Sequence, residues 1–264
     1  MATEDPSLTT IPLSAPVETD SAGKGGPVAM RSVVRVICPR EASGGTGFLH
    51  KSGRIVTADH VVRGCSQILV LPATGSAVVA SVAASDSDLD LALLTLQSSL
   101  SGPPLSISSR ADVAIGTQVT TWGFPGGYSG RVPLLSVGHL AGLETAKTPG
   151  GQLITQWVVN AAFNLGNSGG PLLDVEKGEV IGVVSSKIAP ISQTAQSVLD
   201  ALENQKSGFV YHATLPDGTK TTFSEGQVVG MVLKELRSQV QLVIGKAVRL
   251  QDLRKFLKDH GIDP

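Results

Sequence analysis

From residue 31 to residue 186 the chain is a series of short runs of Val, Ile, Leu and Thr, separated by Gly, Pro and small polar residues. The first run, residues 31–38, reads as a strand. Strands bracketing the Gly44–Gly47 turn lead to His60, and runs at 67–72, 77–83 and 91–96 follow. Residues 98–110 are rich in Ser and Pro and read as a connection. A second series then covers 117–123, 134–143, 153–159, 170–174 and 179–186. Short β-branched and aliphatic runs with turn residues at regular intervals predict an all-β barrel or sandwich.

The pattern changes after Ser186. Residues 191–205 carry apolar positions at Ala195, Val198, Leu199 and Leu202, the spacing of one helix face. Runs at 209–215 and 220–223 flank Pro216-Asp217-Gly218-Thr219, a hairpin turn. A helix is expected over 228–240, with Val229, Val232, Leu233 and Leu236 on one side. A strand at 242–248 precedes a helix over 250–260 that Gly261 closes. Residues 187–240 therefore read as an α+β segment, unlike the strand series before it.

Composition narrows the classes. Hydrophobic residues make up 41%, charged residues 16%, and the net charge is −1. No basic stripe suits a phosphate backbone, so no nucleic-acid partner is expected. No apolar stretch is long enough to span a bilayer. Residues 1–28 are rich in Ser, Thr, Pro and Ala, lack a basic-then-apolar leader pattern, and read as a disordered tail. Nothing here directs export, and cytoplasmic residence is the expectation. The two cysteines are compatible with a bridge, since Cys38 ends the first strand and Cys65 follows the histidine segment; two cysteines alone do not establish one.

Candidate chemistry centres on Gly166-Asn167-Ser168-Gly169-Gly170-Pro171-Leu172. A serine hydroxyl needs a base beside it and donors around the oxyanion it creates. The turn can aim the N–H groups of Gly166, Asn167 and Ser168 at one point. Among five histidines, His60 lies just past an apolar strand in Thr57-Ala58-Asp59-His60-Val61-Val62, where an imidazole can be held rigidly beside a cleft. His50, His139, His212 and His260 have no supporting context. The segment Asp86-Ser87-Asp88-Leu89-Asp90-Leu91 offers three carboxylates, and Asp90 opens an apolar strand. A calcium loop is excluded, because its sixth position is Leu91 and its twelfth is Gln97. No metal or other cofactor is expected.

The three segments T-A-D-H-V-V, D-L-D-L-A-L-L and G-N-S-G-G-P-L together resemble the chymotrypsin-like serine proteases, and most of all the bacterial HtrA/Deg group. Gly44-Gly45-Thr46-Gly47-Phe48, Gly123-Phe124-Pro125-Gly126-Gly127 and Asn160-Ala161-Ala162-Phe163-Asn164 are further matches, so the likeness covers about residues 30–190. It implies two six-stranded antiparallel barrels, about 30–97 and about 111–186 with 241–249, with the site in the crevice between them. It also implies His60 as general base, Asp90 as its orienting acid and Ser168 as nucleophile, acting on a peptide or protein. The final strand and helix resemble the end of an HtrA protease domain, which implies that residues 187–240 are an α+β insertion in the second half, either extra packing or a lid over the substrate. No PDZ domain follows, and the tail shows no match to the segment through which HtrA relatives form trimers.

The resemblance places the specificity-pocket floor six positions ahead of the serine, at Ala162. Its walls would come from Phe163, Asn164, Leu165, Val184, Ser185 and Ser186. With no carboxylate at the floor, cleavage after small or medium apolar residues is expected. Asn167 stands where digestive relatives have an aspartate, so activity is expected to need no ion pair with a new amino terminus. Two other functions fit the same residues: a catalytically silent peptide-binding protein, and an esterase or amidase using the same triad.

Overall fold

Strand alternation in the first half of the chain feeds two cores at once. In the computed structural model, which describes residues 26–148, 150–187, 193–204, 209–214, 218–239 and 244–264, strand β6 (Leu91–Leu96) shows the principle. Leu91 and Leu93 face a seam shared with the second half, while Ala92 and Leu94 face the interior of the first barrel. Successive side chains point to opposite sheet faces. A run apolar at every position is therefore the mark of a strand buried on both sides. With β1 (Val33–Cys38), β2 (Ser43–Leu49), β3 (Ile55–Thr57), β4 (Ile68–Leu71) and β5 (Val78–Asp86), β6 closes an antiparallel barrel in the order β1-β2-β3-β6-β5-β4.

The second barrel repeats this plan. It is built from β7 (Gln118–Gly123), β8 (Leu134–Lys147), β9 (Leu153–Asn160), β10 (Pro171–Asp174), β11 (Val180–Lys187) and β14 (Gly245–Arg249), in the order β10-β11-β14-β9-β8-β7. Its interior holds Val119, Trp157, Val159, Phe163, Leu172 and Ile181. Between the barrels, Val33, Phe48 and Leu93 meet Trp122, Leu173 and Val183. The C-terminal helix α5 (Leu250–Asp259) adds Leu253, Phe256 and Leu257 to that seam. Burying each such side chain contributes about 2 kcal/mol. Gly261, at φ +71°, ends α5 as expected, and the Ile262 N–H reaches back to Leu257 O at 2.9 Å.

The connection over 98–110 is pinned to both barrels. Leu105 N–H donates to Leu49 O (2.9 Å), Ser108 N–H to Val180 O (2.9 Å), and Arg110 pairs with the buried Asp174 at 2.6 Å. These bonds fix where the two barrels meet, and so fix the crevice.

Two local differences from the sequence reading have physical causes. Residues 26–28 were expected in a disordered tail and 31–32 in the first strand. Gly26–Ser32 instead form helix α1, because Ala29 is buried in the seam and Ser32 Oγ donates to Val28 O at 2.8 Å. The helix expected from 228 begins earlier, as α4 (Glu225–Gln239). Ser224 and Gln227 bond reciprocally at its start, Gln227 N–H to Ser224 Oγ (3.3 Å) and Ser224 N–H to Gln227 Oε1 (2.9 Å), a capping box. Residues 1–25 and 240–243, which bear on the expected tail, the end of that helix and the start of the last strand, lie outside the described residues.

Residues 193–239 belong to a separate compact unit. It consists of helix α3 (Gln193–Asn204), the antiparallel pair β12 (Val210–Thr214) and β13 (Lys220–Ser224), and α4. This is the segment read as an α+β insertion.

Candidate active site

Strand β3 delivers the chain to Ala58, from which the short helix α2 (Asp59–Val62) begins. His60 is the second residue of α2 and is exposed, while Val61 and Val62 are buried in the first barrel and hold the helix down. Asp59, next to it, is turned away and pairs with Arg63. His60 Nδ1 lies 2.9 Å from both Asp90 Oδ1 and Oδ2, and the His60 backbone N–H donates to Oδ1 at 3.0 Å. Asp90 immediately precedes β6 and has φ +59°, an uncommon backbone for a residue with a side chain. That conformation, held by the paired strand after it, aims the carboxylate at the imidazole.

Of the three carboxylates in this segment, Asp90 alone reaches His60. Asp86 Oδ1 accepts the N–H groups of Asp88 (3.0 Å) and Leu89 (2.9 Å), closing the turn, and Asp88 rests against the backbone of Gly150. Burial pushes the Asp90 carboxyl up. The hydrogen bonds and charge of His60 and the Ser185 hydroxyl, which donates to Asp90 Oδ2 at 2.5 Å, outweigh it and hold the group below the usual carboxylate range.

Ser168 sits at the same place from the other barrel. Its Oγ donates to the backbone carbonyl of Ser185 at 2.8 Å. Ser168, Ser185, Asp90 and His60 thus form one connected polar group, joined through Ser185 in β11. Among the described residues, His60 Nε2 has no hydrogen-bond partner.

Thr46 of β2 fastens the serine turn to the first barrel. Its N–H donates to Ser168 O (2.8 Å), its hydroxyl to Gly166 O (2.6 Å), and that hydroxyl accepts from Phe124 N–H (3.1 Å). Two glycines permit this closeness. A Cβ on Gly166 would lie 2.2 Å from Phe124 O, and one on Gly169 would lie 2.1 Å from Thr46 O. Their φ values, +92° and +85°, also suit glycine.

The N–H groups of the turn divide into two kinds. Asn167 N–H donates to Asn164 O at 3.1 Å, so it is committed within the turn. The carbonyls of Leu165 and Asn167 accept from Gly126 N–H (2.6 Å) and Gly170 N–H (3.0 Å). In a planar trans peptide the N–H points opposite to the C=O. The N–H groups of Gly166 and Ser168 therefore point away from those donors, and neither has a partner among the described residues.

The residues expected to wall a specificity pocket are dispersed. Ala162 is half-buried and Leu165 is exposed. Phe163 and Val184 instead have their side chains in the second-barrel core, Phe163 packed against Gly245. Strand alternation accounts for Val184, which must face opposite to Ser185. The Ser185 hydroxyl is committed to Asp90, and the side chain of Ser186 lies outside the described residues. Ser185 and Thr46 are the site residues whose roles the sequence did not reveal, since each looks like an ordinary strand residue.

Cys38 and Cys65 form a disulfide, with Cα atoms 5.6 Å apart. It ties the end of β1 to the residues just after α2, behind His60. Among the described residues, the metal-capable cluster is Cys38, Glu41 and Cys65, and both of its sulfurs are in this bridge. The bridge closes a loop with a sequence separation of 27. Replacing both cysteines by serine is expected to lower stability by about 3 kcal/mol, measured by urea denaturation.

Residues 45–183, just over half of the chain, match the trypsin-like peptidase domain, and the chain belongs to that family. Its sequence is 35% identical to the chloroplastic protease Do-like 1 of Arabidopsis thaliana over 151 residues, 55% of this chain and 34% of that protein. It is 34% identical over 152 residues to the probable periplasmic serine endoprotease DegP-like of Hahella chejuensis, 56% of this chain and 30% of that protein. The chain therefore spans about a third of the length of these relatives. The Rv3671c protease of M. tuberculosis H37Rv, solved in an inactive form, shares the fold. The TM-score is 0.61 at 21% identity, over 95% of this chain and 100% of that one. No helix among the described residues is long and apolar enough to cross a membrane.

Proposed function

We propose that this chain is a serine endopeptidase in which His60, Asp90 and Ser168 act as a triad. The connected polar group that joins Ser168 to His60 through Ser185 and Asp90 is the observation that carries this reading. Asp90 holds the imidazole with its proton on Nδ1, leaving Nε2 as the base. When substrate binds, Ser168 Oγ leaves the Ser185 carbonyl, gives its proton to Nε2 and attacks the scissile carbonyl. The oxyanion that forms is met by the free N–H groups of Gly166 and Ser168. His60 then returns the proton to the leaving amine, and the acyl-enzyme that remains is hydrolysed by water activated in the same way.

The pocket floor is Ala162, which offers no charge to a Lys or Arg side chain. The expected result in a peptide library is cleavage after Val, Ala or Leu. Dominant cleavage after Lys or Arg contradicts this specificity. The Cys38–Cys65 bridge favours an oxidising compartment over the cytoplasmic residence expected from the sequence.

A second reading, a silent peptide-binding protein, is favoured by one observation: Ser168 Oγ is bonded to Ser185 O and not to His60. Treatment with a fluorophosphonate separates the two. Labelling of the wild type supports the peptidase, and an unlabelled wild type supports the binding protein.

A further inference from the structure

A groove of about 510 Å³ starts at Gly166 and Gly45, beside the serine turn, and runs between the β1–β2 turn and the segment from Phe124 to Tyr128. It shares no residue with β11, which flanks Ser168 on the Ser185 side. On the peptidase reading, to which this inference adds, it is where the leaving-group half of a peptide would lie.

Its charged lining residue is Arg35 of β1. The Arg35 guanidinium donates through Nη2 to Tyr128 O (2.8 Å) and Gly130 O (2.9 Å), and it stacks on the Phe124 ring with Cζ 4.8 Å from the centroid. These contacts fix its position but do not neutralise it. Arg63, Arg110 and Arg249 are each paired with an aspartate, Asp59, Asp174 and Asp252 in turn. Among the described residues no carboxylate pairs with Arg35. Glu41, in the turn between β1 and β2, is not among the residues that line the groove and accepts from Ser66 N–H at 3.0 Å. Arg131 lines an adjoining hollow together with Arg35, adding charge of the same sign. Burial holds the Arg35 pKa below its ordinary value, as expected for a cation that has lost part of its water without gaining a counter-ion.

We infer that Arg35 is a specificity-determining residue that selects substrates carrying an aspartate or glutamate within the first three residues after the scissile bond. With both Nη2 hydrogens given to the two carbonyls, the fixed, partly dehydrated guanidinium still offers Nε and Nη1 to a carboxylate through charge-assisted hydrogen bonds, and the carboxylate supplies the charge the groove lacks. A lysine in the same place meets a like charge.

The test uses C-terminally amidated peptides, identical up to the scissile bond, with Glu, Gln or Lys at each of the first three following positions in turn. At one of these positions kcat/KM for Glu is expected to exceed that for Lys about tenfold, with Gln between them and the ratio shrinking at high salt. Arg35→Lys keeps the direction of the preference and Arg35→Met brings the ratio to about one. Equal rates for Glu and Lys at all three positions, or an unchanged ratio in Arg35→Met, overturn the inference. A chain that cleaves none of these peptides defeats the peptidase reading, and the groove is then tested by binding alone. Fluorescence anisotropy of the same peptides with Ser168→Ala should show Glu bound more tightly than Lys, and equal binding overturns the inference.

Discussion

Ser168→Ala is expected to lower kcat for peptide hydrolysis by about a millionfold, the scale seen when a serine protease loses its nucleophile. The folded structure has little at stake in this side chain. Ser168 Oγ makes one hydrogen bond, to Ser185 O, and its loss costs about 1 kcal/mol. The bonds that hold the turn come from the backbone, through Thr46 N–H to Ser168 O and Gly169 N–H to Val184 O. The residual rate in the variant would come from the oxyanion donors and from binding alone. Single-turnover assays with the two proteins side by side measure the effect. A loss of tenfold or less is incompatible with Ser168 as the nucleophile.

Asp90→Asn is expected to lower kcat by about ten-thousandfold while leaving the site assembled. Asn tolerates the left-handed backbone that Asp90 adopts at φ +59°, so the chain path should survive. The chemistry does not. Asp90 accepts from His60 Nδ1, from His60 N–H and from Ser185 Oγ. An amide brings its own N–H donors into that position, and one facing Nδ1 would move the ring proton to Nε2. Nε2 could then no longer take the serine proton.

The same substitution has a pH signature. The Asp90 carboxyl is held below the ordinary carboxylate range in the folded protein. Its contribution to stability is therefore complete above that range and is lost as pH falls through the lower folded value. The stability gap between the wild type and Asp90→Asn should narrow progressively with acidification, as followed by urea denaturation at a series of pH values. A gap that widens in acid contradicts the assignment of Asp90 as an ionised acceptor.

Much of the frame was legible because most barrel strands carry their own hydrophobic signature; β2 does not, and Gly44–Gly47, expected as a turn, lie within it and pair with β1. Leu91–Leu94, buried on both faces, reads as a strand from the run alone, and the end of α5 reads from Gly261. Contacts between distant segments were not legible. Ala29 draws residues 26–32 into a helix only because a seam between barrels is there to receive it. The capping pair of Ser224 and Gln227 sets the start of α4 three residues ahead of the expected start at 228.

The site divides in the same way. His60, Asp90 and Ser168 carry recognisable local contexts. The sequence left Asp86 and Asp88 as rivals to Asp90, and the hydrogen bonds to His60 distinguish them. Ser185 was expected as a pocket wall, and instead its hydroxyl orients Asp90 while its carbonyl receives Ser168. Phe163 and Val184 were expected beside it, but strand alternation and Gly245 place them in the core. Arg35 carried no motif; its meaning lies in the carboxylate it lacks, which only the packed groove reveals.

Treatment with a fluorophosphonate followed by peptide mapping of the adduct tests the reactivity of this turn most directly. The expected result is one adduct, on Ser168, absent in Ser168→Ala and formed far more slowly in His60→Ala and Asp90→Asn. No adduct in the wild type, or one that persists in Ser168→Ala, contradicts Ser168 as the nucleophile of a His60–Asp90–Ser168 triad.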